Sequence, residues 1–343
     1  MGVDLKDLVH RKEITLEHLS GKTIAIDAYN ILYQFLSTIR GTDGSPLVDK
    51  MGRATSHLSG LFYRTVNLIE AGIKPVYVFD GAPPALKEVE IKRRKKAKEE
   101  ATIKYEQALK VGKLEEARVY AQATAILKDY MVHDSKKLLN FMGIPWIQAP
   151  SEGEAQAAHL AAKGLVWAAA SQDYDSLLFG APRLVRNLGT TGKRKLPRKP
   201  VYIKINPEIV ELSDVLNELK ITREQLIDLG ILIGTDFNPE GVKGIGPRTA
   251  LKLIQKYGRL ENIIPQLKEA NFAVEPDRIR QIFLNPSVKD FDKLEWRRPN
   301  FDGIISFLCE EHDFSRERVE KSLSRLELTL KNAEGKSGLE KWF

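Results

Sequence analysis

Three short apolar runs each close on an acid: Thr23-Ile-Ala-Ile-Asp27, Pro75-Val-Tyr-Val-Phe-Asp80 and Trp167-Ala-Ala-Ala-Ser-Gln-Asp173. Runs of this length without polar alternation predict strands buried on both faces, as in a parallel sheet. Between the first two, Ile31, Leu32, Phe35 and Leu36 recur at helical spacing, a loop follows at residues 40–46, and residues 55–72 predict a second helix. Residues 23–80 therefore read as strand, helix, loop, helix, strand, a βαβ-type start to a parallel α/β sheet. Pro145-Trp-Ile-Gln-Ala-Pro150 reads as a further strand and turn. It delivers Ser151-Glu-Gly-Glu154 to an Ala-rich helix, with Ser151 fitting the N-cap and Glu154 the capping-box position.

Residues 86–140 are charged and helical by propensity, with a break at Val111-Gly-Lys113. In the segment 87–98, seven bases stand against two acids. Alone, such a segment is a solvated helix face. Directly after Asp80, its bases overhang the strand ends, and Lys87 and Arg94, two helical turns apart, are placed to face one phosphate. The basic stretch 189–199 reads as a hairpin or a flexible connector. Helical periodicity over residues 221–233 runs into Gly234-Thr-Asp236, and Gly241-Val-Lys-Gly-Ile-Gly-Pro-Arg248 then opens an amphipathic helix with Pro247 near its start. Three glycines in six residues exceed what a helix-helix turn needs. Their N–H groups, with the helix N-terminus, suit a nucleic-acid phosphate held without reading sequence, which makes Lys243, Gly244, Gly246 and Arg248 candidate DNA contacts.

The acids carry the chemistry. Asp27, Asp80, Glu152, Glu154, Asp173, Asp175 and Asp236 lie at or just after these apolar or small-residue segments. The crevice at the carboxyl ends of parallel strands is where α/β sheets bind ligands. A lone strand-end Asp is usually a turn residue or helix cap. The pairs Glu152/Glu154 and Asp173/Asp175, like charges two residues apart, gain nothing from a fold unless a cation lies between them. Oxygen-only ligation without a partnering His or Cys suits Mg²⁺ or Mn²⁺ rather than zinc.

Composition narrows the class. The chain has 343 residues, 43% hydrophobic and 29% charged, enough for one elaborate domain or two modest ones. No apolar run approaches the roughly 20 residues of a membrane span. The start, Met1-Gly-Val-Asp-Leu5, has no signal-peptide pattern, and Lys6 stands where a myristoylation motif wants Ser or Thr, so neither secretion nor lipid anchoring is expected. Cys309 is the sole cysteine, and the six histidines show no metal-ligand spacing. Setting the seven site acids aside leaves 39 acids against 53 bases, a positive body around a negative pocket that suits a polyanionic substrate. Near the chain end, Leu339, Trp342 and Phe343 at i, i+3, i+4 form an apolar knob after a polar linker, a peptide-docking pattern.

In order, Ile26-Asp27-Ala, Phe79-Asp80-Gly-Ala-Pro-Pro84, Ala149-Pro-Ser-Glu152-Gly-Glu154-Ala, Ser171-Gln-Asp173-Tyr-Asp175, Gly234-Thr-Asp236 and Gly244-Ile-Gly-Pro resemble the flap endonucleases of the XPG-type structure-specific 5′-nuclease family. The resemblance covers nearly the whole chain and is archaeal-like, since the chain stops at Phe343 without the basic tail of eukaryotic members. It implies an α/β fold: a 5′-nuclease (PIN-like) core with a central, mostly parallel sheet flanked by helices, a helical arch and a helix-hairpin-helix module. The expected organisation is one nuclease domain over residues 1–330, with an N-terminal region at about 1–105, the arch at about 82–135, an internal region at about 120–260 that includes the hairpin at about 226–258, and a tail at 331–343.

The resemblance further implies a Mg²⁺-dependent hydrolase cutting 5′ flaps at single-strand/double-strand DNA junctions, with 5′-3′ exonuclease activity, in Okazaki fragment maturation and DNA repair. Two divalent ions act, one activating water and the other stabilising the leaving 3′ oxygen, with Mn²⁺ as a substitute and K⁺ at the hairpin. Lys87 and Arg94 face the scissile phosphate, Tyr33 stacks beside it, and Gly2, after loss of Met1, lies near the site. The loop around residues 40–51, with Arg40, and residues such as Thr55 hold the second duplex. The terminal peptide resembles one that binds the sliding clamp PCNA, with Lys336 in place of the usual Gln. A monomer is expected, in the cytoplasm of an archaeon or the nucleus of a eukaryote. The rivals are a related 5′ exonuclease, gap endonuclease or RNase-H-like trimming enzyme, a non-catalytic clamp-tethered DNA-junction scaffold, and a metal-dependent small-molecule phosphatase.

Overall fold

The computed structural model describes residues 2–190, 192–195, 202–267, 272 and 274–335. Its N-terminal part runs β1 (Lys12–Glu13), β2 (Thr23–Asp27), α1 (Ala28–Thr38), α2 (Ser56–Glu70) and β3 (Lys74–Phe79), the expected strand-helix-loop-helix-strand order. A one-turn 3₁₀ segment at Ala85–Lys87 leads into the helical arch, α3 (Glu88–Lys110) and α4 (Leu114–Ala123), followed by α5 (Asp129–Phe141). The break at Val111-Gly-Lys113 is present, with Gly112 at φ +70°; a second break, at residues 124–128, left no mark in the hydrophobic pattern. Next come β4 (Trp146–Gln148), α6 (Gly153–Ala162), β5 (Ala168–Ala170), α7 (Asp175–Leu178) and β6 (Arg183–Arg186). Strands β7 (Gly192–Lys195) and β8 (Tyr202–Ile205) pair antiparallel, giving the basic stretch its hairpin arms; the residues between them lie outside the described set.

Strand β9 (Glu208–Glu211) precedes α8 (Leu212–Leu219), α9 (Arg223–Ile233), α10 (Pro247–Tyr257), α11 (Leu260–Ile263) and α12 (Pro276–Leu284). Last are α13 (Phe301–Ile305), a π-helical turn at Ser306–Glu311, and α14 (Arg316–Gly335). Helix α9 opens with a capping box formed by Thr222 and Gln225. No helix among the described residues is long and apolar enough to cross a membrane.

Seven strands form one sheet in the order β1-β9-β6-β5-β2-β3-β4, parallel from β6 to β4 and antiparallel at β9 and β1. Period-2 alternation explains why its strands are apolar throughout. Ile24 and Ile26 of β2 join Tyr77 and Phe79 of β3 on the face covered by α1, α2, α5 and α14. Ala25, Val76 and Val78 point the other way, into the core built with α6, α7, α9 and α12. The strands are therefore held on both faces, and their carboxyl ends stand at a fixed edge.

Candidate active site

Four neighbouring parallel strands, β2 to β5, send acid to that edge. Asp27 is the last residue of β2, Asp80 follows β3, and Glu152 and Glu154 flank Gly153 at the start of α6. Asp173 sits in the turn after β5, and Asp175 opens α7. The registers Asp27↔Val78, Phe79↔Gln148 and Ile26↔Ala170 bring these ends level. Asp236 arrives from the turn after α9. The cap reading of Asp27 also holds: its Oδ1 accepts the Asn30 N–H at 3.0 Å, so one carboxylate starts α1 and joins the cluster. Ser151 is not the N-cap of α6. Glu152 takes that position, and no side-chain capping bond forms there, so a capping box does not account for Glu154.

Electrostatics confirm the crowding. Burial, then the repulsion of Asp80 and Asp173, raises the Asp27 carboxyl well above its ordinary value. Burial with Asp175, Asp173 and Asp27 does the same to Glu154. Burial and Glu152 push Asp80 up to about 6, and burial with Asp236 and Asp173 pushes Asp175 up to about 7. Asp236 goes the other way: burial opposes its charge, but Lys87 and Arg94 outweigh burial and hold it at about 2.

Arg94 descends from the arch and Lys87 from the 3₁₀ segment that leads into it. Lys87 Nζ lies 2.6 Å from Glu152 Oε2 and 3.1 Å from Asp236 Oδ2, while Arg94 Nη2 lies 2.7 Å from Asp236 Oδ1. Two helical turns thus converge on one group, a carboxylate here, as their spacing predicts for a phosphate. Among the described residues no three His, Cys, Asp or Glu side chains form a ready-made ion cage. The oxygen-only donor set and the raised acid pKa values nonetheless fit hard divalent cations, because such acids ionise together only when positive charge accompanies them.

Comparison with known proteins places this arrangement. The XPG N-terminal domain model matches residues 1–101 and the XPG I-region model residues 143–236. Flap endonuclease 1 of Pyrococcus abyssi is 58% identical over 343 residues, all of this chain and 98% of that protein. Flap endonuclease 1 of Staphylothermus marinus is 56% identical over 349 residues, with both chains fully covered. The chain belongs to the flap endonuclease family. Among solved structures, the flap endonuclease-1 from Methanococcus jannaschii superimposes with TM-score 0.75 at 44% identity, covering 96% of this chain and 99% of that one. The catalytic core of Rad2 in complex with DNA substrate does so with TM-score 0.71 at 26% identity, covering 95% and 100%.

Other expected residues of this flap endonuclease family member are distributed around the acids. Gly2 packs so closely on Asp175 that a Cβ would sit 2.5 Å from its Oδ1, and the neighbouring Val3 N–H donates to that oxygen at 2.7 Å. Tyr33, on α1, carries the Lys98 ammonium of the arch over its ring at 4.5 Å. Arg40, half-buried, donates from its guanidinium to the carbonyls of Leu36 and Gly44, at 2.8 and 2.9 Å, and Thr55 is buried at the start of α2. Lys243, Gly244, Gly246 and Arg248 are exposed around the N-terminus of α10, with Gly246 as its cap. Leu339, Trp342, Phe343 and Lys336 lie outside the described residues.

Several working residues escaped the sequence reading. Glu90, buried on α3, accepts Arg94 Nε at 2.7 Å and aims that side chain; its place four residues before Arg94 was the available signal. The Gly153 N–H holds Asp80 Oδ1 at 2.8 Å, and a Cβ there would come within 2.5 Å of the same oxygen. Gly81 leaves room for the carbonyls of Ala149 and Pro150. Arg186, stacked on Tyr174, donates to the Gln172 carbonyl from Nε at 3.1 Å and Nη2 at 3.0 Å, clamping the turn that carries Asp173. No local pattern announces the last three, because their partners come from distant segments.

Proposed function

We propose that this protein is a structure-specific nuclease that hydrolyses phosphodiester bonds at the base of 5′ flaps, where single- and double-stranded DNA meet, with accompanying 5′-3′ exonuclease activity. The observation that carries this reading is the convergence of seven acids at one sheet edge with two arch cations, Lys87 and Arg94, already reaching into them. Asp27, Asp80, Glu152, Glu154, Asp173, Asp175 and Asp236 would hold two Mg²⁺ ions, or Mn²⁺ in their place. When bound, the ions supply Lewis-acid stabilisation to the attacked phosphate and the leaving oxygen.

The chain's own groups do the rest. Lys87 and Arg94 turn from carboxylates to the scissile phosphate, whose charge grows in the transition state. Glu90 keeps the Arg94 fork aimed, and Tyr33 stacks on the adjacent nucleotide. The exposed N–H groups at the start of α10 grip duplex backbone without reading sequence, with K⁺ aiding there. The terminal segment with Leu339, Trp342 and Phe343 docks on the sliding clamp, and the enzyme works as a monomer.

The test is incubation with a 5′-end-labelled double-flap DNA, with Mg²⁺ or with EDTA, and mapping of the products. A Mg²⁺-dependent cut within a nucleotide or so of the flap base is expected. Tight binding without cleavage under any divalent ion would refute catalysis and favour a junction-binding scaffold.

A further inference from the structure

Helix α1 begins inside the acid cluster, and its third residue, Asn30, touches two of the acids. The Asn30 backbone N–H donates to Asp27 Oδ1 at 3.0 Å, and its side-chain Nδ2 donates to Asp173 Oδ2 at 3.3 Å. One residue therefore tethers two carboxylates that repel each other, since Asp173 is among the groups that raise the Asp27 pKa, after burial and Asp80. One turn further along, Gln34 Nε2 donates to Asn30 Oδ1 at 3.0 Å. That bond sets the direction of the Asn30 amide: with Oδ1 committed to Gln34, Nδ2 faces Asp173, whereas the turned amide would oppose oxygen to oxygen. Gly189 closes behind Gln34, where a Cβ would lie 2.8 Å from Oε1. Asn30 and Gln34 line a small cleft together with Asp27, Ser171 and Gly189.

We propose that Asn30, oriented by Gln34, is a positioning residue that fixes the separation of Asp27 and Asp173 and thereby sets the affinity of the acid cluster for divalent ions. This rests on the reading of the acids as metal ligands. Hydrogen-bond partners behind metal ligands change affinity by about 10–100-fold when removed. Asn30→Ala keeps the backbone bond to Asp27 and deletes the side-chain bond to Asp173, which breaks the link between the two acids. Gln34→Glu acts at one remove: a carboxylate oxygen in place of Nε2 repels Asn30 Oδ1 and drives the amide to turn its oxygen on Asp173. Gln34→Leu removes the orienting donor without adding charge.

The experiment uses the full-length, metal-free protein without DNA, titrated with Mn²⁺ and followed by the electron paramagnetic resonance of the free ion. Melting of the metal-free form and the Mg²⁺ dependence of flap cleavage are measured alongside. Asn30→Ala and Gln34→Glu are expected to weaken Mn²⁺ binding roughly 10-fold, with Gln34→Leu weaker in the same direction. Metal-free melting should stay like the parent's, and saturating Mg²⁺ should restore kcat, at a raised half-saturation concentration. Parent-like Mn²⁺ affinity in Asn30→Ala would overturn the proposal, and parent-like affinity in both Gln34 variants would overturn the orienting role. Failure of the underlying reading looks different: the parent would bind no Mn²⁺, or Asp173→Ala would bind it as tightly as the parent.

Discussion

Replacing His57 by Leu should remove a specific acid sensitivity of the fold. His57 is fully buried in α2, edge-on to Tyr130 with ring centroids 6.4 Å apart, and neither ring nitrogen meets a protein partner. Burial, then the nearby His312, pushes its pKa from 6.5 down to about 3. Above pH 6.5 both folded and unfolded chains carry a neutral ring, and nothing is lost. Below it the unfolded chain binds the proton first, so stability falls until the folded ring titrates near pH 3. At about 1.36 kcal/mol per pKa unit, the loss is about 2 kcal/mol by pH 5 and about 5 kcal/mol over the whole window. The buried acids Asp80 and Asp175, raised to about 6 and about 7, act with opposite sign, because their folded forms prefer the proton and their penalty fades as pH falls. Comparing parent and variant cancels that contribution. Urea unfolding at pH 7.5 and pH 5 should show the parent losing about 2 kcal/mol more than His57→Leu. Equal losses would refute the assignment of a neutral, unpartnered ring.

Arg94→Ala or Lys87→Ala should lower kcat by about 10²–10³-fold in single-turnover flap cleavage while duplex affinity barely changes; equal weakening of binding and hydrolysis would remove these residues from the transition state. Gly153→Ala should abolish most cleavage without unfolding α6, since the new Cβ collides with Asp80 Oδ1 in a helix that tolerates Ala; parent-level activity with a parent-like circular dichroism spectrum would contradict this. Asp228→Ala should destabilise the protein by about 3 kcal/mol in urea unfolding, because it strips half-buried Arg280 of a buried partner at 2.8 Å and leaves the Leu260 N–H without its acceptor; a loss below about 1 kcal/mol would show that Glu261 and Asp277 hold Arg280 unaided.

The parallel sheet, the helix order through residue 80, the break in the arch and the glycine-rich turn before α10 were all legible in the chain. Each rests on local periodicity or turn chemistry, which neighbours in sequence determine. The acids were legible because a strand ending on Asp is a local pattern repeated at several points, and parallel strands present the same end. The start of α6 was misread because Ser151 satisfies the local capping rule, yet its carbonyl accepts the Gly81 N–H at 2.6 Å and the helix begins one residue later.

The sequence by itself determined which residues carry charge to the strand ends and which helix brings cations over them. Tertiary structure alone decided that Lys87 and Arg94 meet at Asp236, that Gly153 and Asn30 hold Asp80 and Asp173, and that burial, with the repulsion of Asp80 and Asp173 added, raises the Asp27 carboxyl above its ordinary value. The physical reason is range. Periodicity and capping act over a few residues, whereas the spacing between carboxylates, and hence their charge, depends on strands paired between distant segments of chain, such as Asp27 with Val78 and Ile26 with Ala170.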